Sequence, residues 1–138
     1  MENKVAYFEK LDVWKKASQL AVEIYKVLDG CEKYGIKNQI QKSVVSISSN
    51  IAEGAERDSN ADYIKFLYYS KGSAAELRTQ LYIAQKIDII ENRIGIRKRE
   101  DLENIKGEIA GVNTTQTLTP LGIAVTTRET QSKAETRD

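Results

Sequence analysis

Histidine is absent from this chain of 138 residues, and cysteine, proline and tryptophan occur once each. Without histidine there is no Ser-His-Asp or Cys-His catalysis and no Glu-x-x-His di-iron site. The lone Cys31 forms no intramolecular disulfide and cannot supply a zinc site built from Cys and His. With the acidic Glu32 beside it, Cys31 reads as a bystander rather than a redox thiol. A carboxylate-only Mg²⁺ or Ca²⁺ site, with Asn50, Glu53 and Glu76 as its candidates, is the last-ranked alternative; the acidic residues are scattered, so no metal or other cofactor is expected. No apolar run approaches the ~20 residues that span a bilayer, and nothing at the N-terminus has the form of a signal peptide. A cytoplasmic protein with no membrane partner is the expectation. Net charge is also lacking: 21 Lys and Arg face 20 Asp and Glu, for a balance of +1. No global field draws in a polyanion, so any such partner must find a local patch.

What remains is 41% hydrophobic and 30% charged, the mark of one mostly helical domain. The organising stretch is Gln39 to Gly54. Ile40, Val44, Ile47 and Ile51 recur at helical spacing and make one apolar stripe. Ser43, Ser46, Asn50, Glu53 and Arg57 make a second stripe beside it. A surface helix shows one apolar stripe and a charged back. This second stripe is small and uncharged for two turns before it carries Asn50 and Glu53, which indicates a helix packed on more than one side.

Four helices are expected. The first runs from about Phe8 to Asp29, with Trp14 as a large buried anchor and Gly30 as its C-terminal cap. A short connection from Cys31 to Gly35 makes its neighbour antiparallel. The second spans about Ile36 to Glu56 and ends at the polar turn Arg57-Asp58-Ser59-Asn60. Ser59 followed by Asp62 resembles a capping box and opens the third helix, about Asn60 to Ile90. That helix is apolar over a wide arc, so it too needs more than one neighbour. Gly72-Ser73-Ala74-Ala75 in its middle predicts a tight crossing against Ser46 to Asn50, because a mid-helix glycine costs about 1 kcal/mol unless a close backbone requires it. Asn92 to Ile96 breaks the pattern at Gly95, and a short fourth helix follows from about Lys98 to Val112. The domain is thus residues 1–112. Residues 113–138 form a Thr-rich tail expected to be disordered.

Three groups are candidate sites. Arg93, Arg97, Lys98 and Arg99 form a basic cluster that suits phosphates, and Lys37 and Lys42 extend it. A ring of subunits would repeat such a patch around its axis and make a belt without high net charge. Asn50, Glu53 and Glu76 form a polar group, read first as a structural network that fixes helix register. Tyr63, Tyr68, Tyr69 and Tyr82 either stack nucleic-acid bases or lie in the core and at subunit contacts. The breadth of apolar and small surface on the middle two helices favours copies closing around one another.

Four stretches carry a family resemblance: Phe8-x-x-Leu11-x-Val13-Trp14-Lys15-Lys16-Ala17, Tyr34-Gly35-x-x-x-Gln39-Ile40, Ser46-Ile47-x-Ser49-Asn50-Ile51-Ala52-Glu53-Gly54, and Gly72-Ser73-x-x-Glu76-Leu77-x-Thr79-Gln80-Leu81. Together, over roughly Phe8 to Ile90, they resemble the bacterial four-helix-bundle proteins of the large-subunit (23S) rRNA intervening-sequence family. The resemblance implies an all-α, antiparallel up-down four-helix bundle, a homopentameric ring and no enzymatic activity. That family is similar to the accessory variability proteins of diversity-generating retroelements, basic pentameric barrels that bind a reverse transcriptase and nucleic acid. The implied partners are therefore further copies of this chain and RNA or a nucleoprotein such as a reverse transcriptase. A structural or protein-binding scaffold with no nucleic-acid role is the alternative. Two features depart from the family: Gln41-Lys42 stands where paired arginines are common, and the chain beyond Val112 lacks the pattern of a long fourth helix.

Overall fold

The computed structural model describes residues 6–114 and two short strands, 117–118 and 124–125. A 3-10 turn at Tyr7–Lys10 precedes four helices: α1 (Asp12–Val27), α2 (Tyr34–Ala55), α3 (Asn60–Lys86) and α4 (Asn92–Thr114). Strands β1 (Thr117–Leu118) and β2 (Ala124–Val125) pair antiparallel, Thr117 opposite Val125 and Leu118 opposite Ala124. The class is all-α. Helices adjacent in sequence pack together, and α1 meets α4 to close the bundle. The expected disorder of 113–138 otherwise lies outside the described residues.

The first helix is split where the spacing suggested continuity. Leu11 is extended (φ −78°, ψ 123°) and serves as the cap of α1. On an unbroken helix, residues six apart stand about 120° apart around the axis. The break folds Phe8 back so that its ring meets Trp14 edge-on at 5.2 Å. Trp14 is only half-buried as a result, not the enclosed anchor that was expected. The stop at Gly30 is as read. Its φ of +78° lies in the left-handed region, which glycine enters without strain.

The core lies where the period of α2 puts it. Ile40, Val44, Ile47 and Ile51 are fully enclosed, with Ala17, Leu28, Leu77, Leu81, Leu102 and Ile109 around them. Each such aliphatic side chain contributes about 1.5–3 kcal/mol on leaving water. The second stripe of α2 meets α3. Ser46 Oγ and Ser73 Oγ are 2.8 Å apart, and Ser70 Oγ donates to the Ile47 carbonyl at 2.7 Å. Gly54 completes the seam, for a Cβ there would lie 2.7 Å from Phe66 Cβ. Contact positions therefore fall along α3 as they rise along α2.

The crossing predicted at Ser46 to Asn50 is present, but Gly72 does not cause it. A Cβ on Gly72 would meet nothing within 4 Å. The close approach is made by serines, whose hydroxyls replace the lost apolar contact with hydrogen bonds.

Two boundaries of α3 and α4 also differ from the spacing. At its start Ser59 Oγ accepts from the Asp62 amide at 3.1 Å, which gives the expected serine cap as a single bond rather than the reciprocal pair of a capping box. At its end α3 stops at Lys86 rather than Ile90. Asp88 takes a φ of +63°, its amide bonds the Gln85 carbonyl, and the Ile89 amide bonds the Ala84 carbonyl at 2.9 Å. This is a Schellman stop with aspartate where glycine is usual. Gly95 is no breaker: its amide donates to the Glu91 carbonyl at 2.9 Å inside α4. Gly95 is buried, and a Cβ there would sit 2.8 Å from Gln85 Oε1. The fourth helix is therefore 23 residues long rather than short. A glycine without a side chain reads as a break when its real partner lies on another helix.

Candidate nucleic-acid interface

Helix α4 disperses its basic cluster. Successive residues turn by about 100°, so Arg93 and Arg97 share one line while Lys98 and Arg99 leave it on other bearings. Arg97 is exposed and makes no hydrogen bond or ion pair with the described residues. Arg93 is exposed and holds Glu91 at 3.3 Å. Lys98 turns inward to α1, is only 8% exposed, and is bonded to Glu23, with Asp101 at 3.7 Å. A phosphate contact expected of Lys98 is thus replaced by an internal ion pair. The bond from Lys98, then that from Gln19, holds the Glu23 carboxyl below its ordinary range.

Arg99 points to α3. Its Nη2 donates to Gln85 Oε1 at 2.8 Å, and its guanidinium lies 5.6 Å from the Tyr82 ring centre. Lys37 donates to the Cys31 carbonyl at 3.4 Å and lies 5.8 Å from the Tyr34 ring centre. Lys42 is exposed at the mouth of a groove of about 590 Å³ between α2 and α3, which Glu76 and Gln80 also line.

Of the polar group, only Asn50 enters the seam between the helices. Its Nδ2 donates to the Ser46 carbonyl at 2.9 Å and to Ser46 Oγ at 3.0 Å, next to Ser73. Glu53 stays on its own helix, accepting from Arg57 Nη2 at 2.9 Å. Glu76 lines the groove and is exposed. No hydrogen bond joins Asn50, Glu53 and Glu76 to one another. The seam is instead built by Ser46, Ser70, Ser73 and Gly54. Sequence reading singled out Ser46 and Ser73 but not Ser70, whose signal was its seven-residue offset from Tyr63 and Leu77 on the buried line of α3.

The tyrosines divide in the same way. Tyr63 is enclosed, and burial together with nearby Tyr7 pushes its phenol well above the usual range. Tyr68, Tyr69 and Tyr82 are about half exposed, at 50%, 48% and 49%. Each has a cation over its ring: Lys71 at 5.5 Å from Tyr68, Lys65 at 5.9 Å from Tyr69, and Lys86 at 5.5 Å from Tyr82, which also has Arg99. Lys65 and Lys86 escaped the sequence reading because they lie one turn from their rings rather than in a run.

A second groove, of about 290 Å³, lies between α1 and α4 and is lined by Lys16, Gln19, Glu23, Asp101 and Asn104. Lys16 there is bonded to Glu108. Among the described residues no group of three or more His, Cys, Asp or Glu is placed to hold a metal ion. No described helix is long and apolar enough to cross a membrane.

This architecture has a solved counterpart. A protein of unknown function from Bacteroides thetaiotaomicron, assigned to the S23 ribosomal protein family, superposes with a TM-score of 0.68 at 26% identity, over 72% of this chain and 96% of that one. No curated protein matches the chain. The part that does match a family begins in the 3-10 turn and ends in α4, taking in all four helices and both serine-lined and charged seams. Over residues 9–111 the sequence fits the 23S rRNA-intervening sequence proteins, and the chain belongs to that family.

Proposed function

We propose that this chain is a non-enzymatic accessory protein: an antiparallel up-down bundle that closes with copies of itself into a pentameric ring and binds RNA, alone or in a nucleoprotein such as a reverse-transcriptase complex. The observation that carries the self-assembly is a set of uncovered apolar side chains on α3 and at its C-terminal cap; the count of five follows from the family resemblance. Tyr69, Ile83 and Ile87 are 48%, 42% and 53% exposed along the flank of α3 beside the groove. A ring needs two different surfaces that fit each other. Val22, Tyr25 and Val45, at 47%, 44% and 40%, give α1 and α2 a second apolar surface. The falling register of α3 against α2 supports the antiparallel order. In that order Lys37, Lys42, Arg93 and Arg97 gather at one end of the bundle, and a ring multiplies them into a belt. The family description, which names an rRNA intervening sequence, supports RNA as the polyanion.

Filter binding of a structured RNA at rising salt tests the reading. Affinity should fall log-linearly with salt, because cations on the protein release counterions from phosphates. Arg93→Glu with Arg97→Glu should weaken binding at low salt at least tenfold. Lys98→Met, at a paired and enclosed site, should not. The net charge of +1 favours the competing scaffold reading. An assembled protein that retains no RNA even at low salt would establish that alternative.

A further inference from the structure

Helix α3 has two exposed flanks with different chemistry. Tyr69, Glu76 and Ile83 follow one seven-residue line; Tyr68, Ala75 and Tyr82 follow the next, about 100° further round the helix. The second line faces α4 and carries more cations, the first having Lys65 by Tyr69. Lys71 lies by Tyr68, and Lys86 and Arg99 lie by Tyr82. None of these three cations has a carboxylate partner among the described residues. Arg78 on the same flank is already bonded to Glu103.

Arg99 is not merely near Tyr82 but held there. Gly95 leaves room for Gln85, and Gln85 Oε1 accepts from Arg99 Nη2 at 2.8 Å. A guanidinium fixed beside an exposed ring, with a lysine on the next turn, is the combination that binds unpaired bases. The ring offers a stacking surface, and the cations reach the flanking phosphates.

We propose that Tyr82 and Arg99, with Lys86, form a stacking site for single-stranded RNA on the α3–α4 flank, and that Tyr68 with Lys71 continues it along the helix. The proposal rests on the RNA-binding reading and gives it a location. Charge complementarity selects the occupant. Unneutralised cations beside rings suit a polyanion with exposed bases, whereas a second copy of this chain would have to bring carboxylates to the same place. Tyr68 and Tyr82 are about 21 Å apart along α3, so one strand laid along the helix reaches both. Lys86 leaves the ring as a base arrives and turns to the backbone phosphate. Duplex RNA, with its bases already stacked, gains only the phosphate contacts.

Fluorescence anisotropy with a labelled single-stranded oligoribonucleotide, and with its duplex, decides the matter. The full chain should bind the single strand at least tenfold more tightly than the duplex. Tyr82→Ala should weaken single-strand binding about tenfold, in line with the ~1–3 kcal/mol of one stacked base, while Tyr82→Phe should stay within about twofold. Melting and sedimentation accompany each variant. If the parent chain binds but Tyr82→Ala binds equally well, the site is wrong and the RNA reading stands. If Tyr82→Ala changes the assembly mass, the ring is a subunit contact and the site is also wrong. If the parent chain binds neither RNA, the RNA reading itself fails and this site with it.

Discussion

The α2–α3 seam and the α1–α4 seam hold the same bundle by opposite means. Between α2 and α3 the side chains are short: Ser46 on Ser73, Ser70 on the Ile47 carbonyl, and Gly54 under Phe66. Between α1 and α4 they are long and charged: Lys16 on Glu108, and Lys98 between Glu23 and Asp101. Short side chains bring backbones close where they meet. Long charged ones fix register through specific partners. The first seam should respond to added volume and ignore pH. The second should tolerate volume and respond to charge and acid.

The largest effect should come from filling the tight seam. Gly54→Val places carbon where the Phe66 Cβ, which cannot rotate away, is already 2.7 Å distant. A loss of about 3 kcal/mol is expected, read as a lower urea midpoint. Breaking the charged seam should cost somewhat less. Glu23→Gln leaves the enclosed Lys98 ammonium with only Asp101, 3.7 Å away. Severing a buried pair costs ~3–5 kcal/mol, but the Glu23 side chain is 36% exposed. After discounting for that exposure, about 2 kcal/mol is expected.

Acid should separate the seams without any change of volume. The Glu23 carboxyl lies below its reference value of 4.5 in the folded chain. Its contribution is therefore complete above that value and is lost as pH falls through the lower folded one. Urea midpoints from pH 6 to pH 3 should show an acid-dependent loss that Glu23→Gln reduces and Ser70→Ala retains. Ser70→Ala itself should cost about 1 kcal/mol at neutral pH, since Ile47 keeps its helical bond. Gly72→Ala, in open space, should gain about 1 kcal/mol. A loss on Gly72→Ala in the assembled protein would place that turn against another subunit.

Legibility in the sequence followed the same division. The apolar stripe of α2 and the Ser59 cap were plain because period and cap chemistry are local. The α2–α3 crossing was found through the Ser46 to Asn50 region but assigned to Gly72. Composition alone cannot say which glycine faces a neighbour, and Gly54 and Gly95 do. Asp88 hid the true end of α3, since its left-handed turn carries no glycine to announce it. The basic run at Arg93 to Arg99 looked continuous as letters. Wound on a helix, it sends Lys98 to Glu23 and Arg99 to Tyr82. Which cations remain free depends on partners more than seventy positions away in the case of Lys98 and Glu23, and no local pattern records them.

The most direct test of the account is the mass of the protein in solution by sedimentation equilibrium at physiological salt. The pentameric ring proposed from the family resemblance predicts a particle of about five times the 15.6 kDa chain, which Ile83→Glu on the exposed flank of α3 should split into single copies. A parent chain that sediments as one 15.6 kDa copy would contradict it.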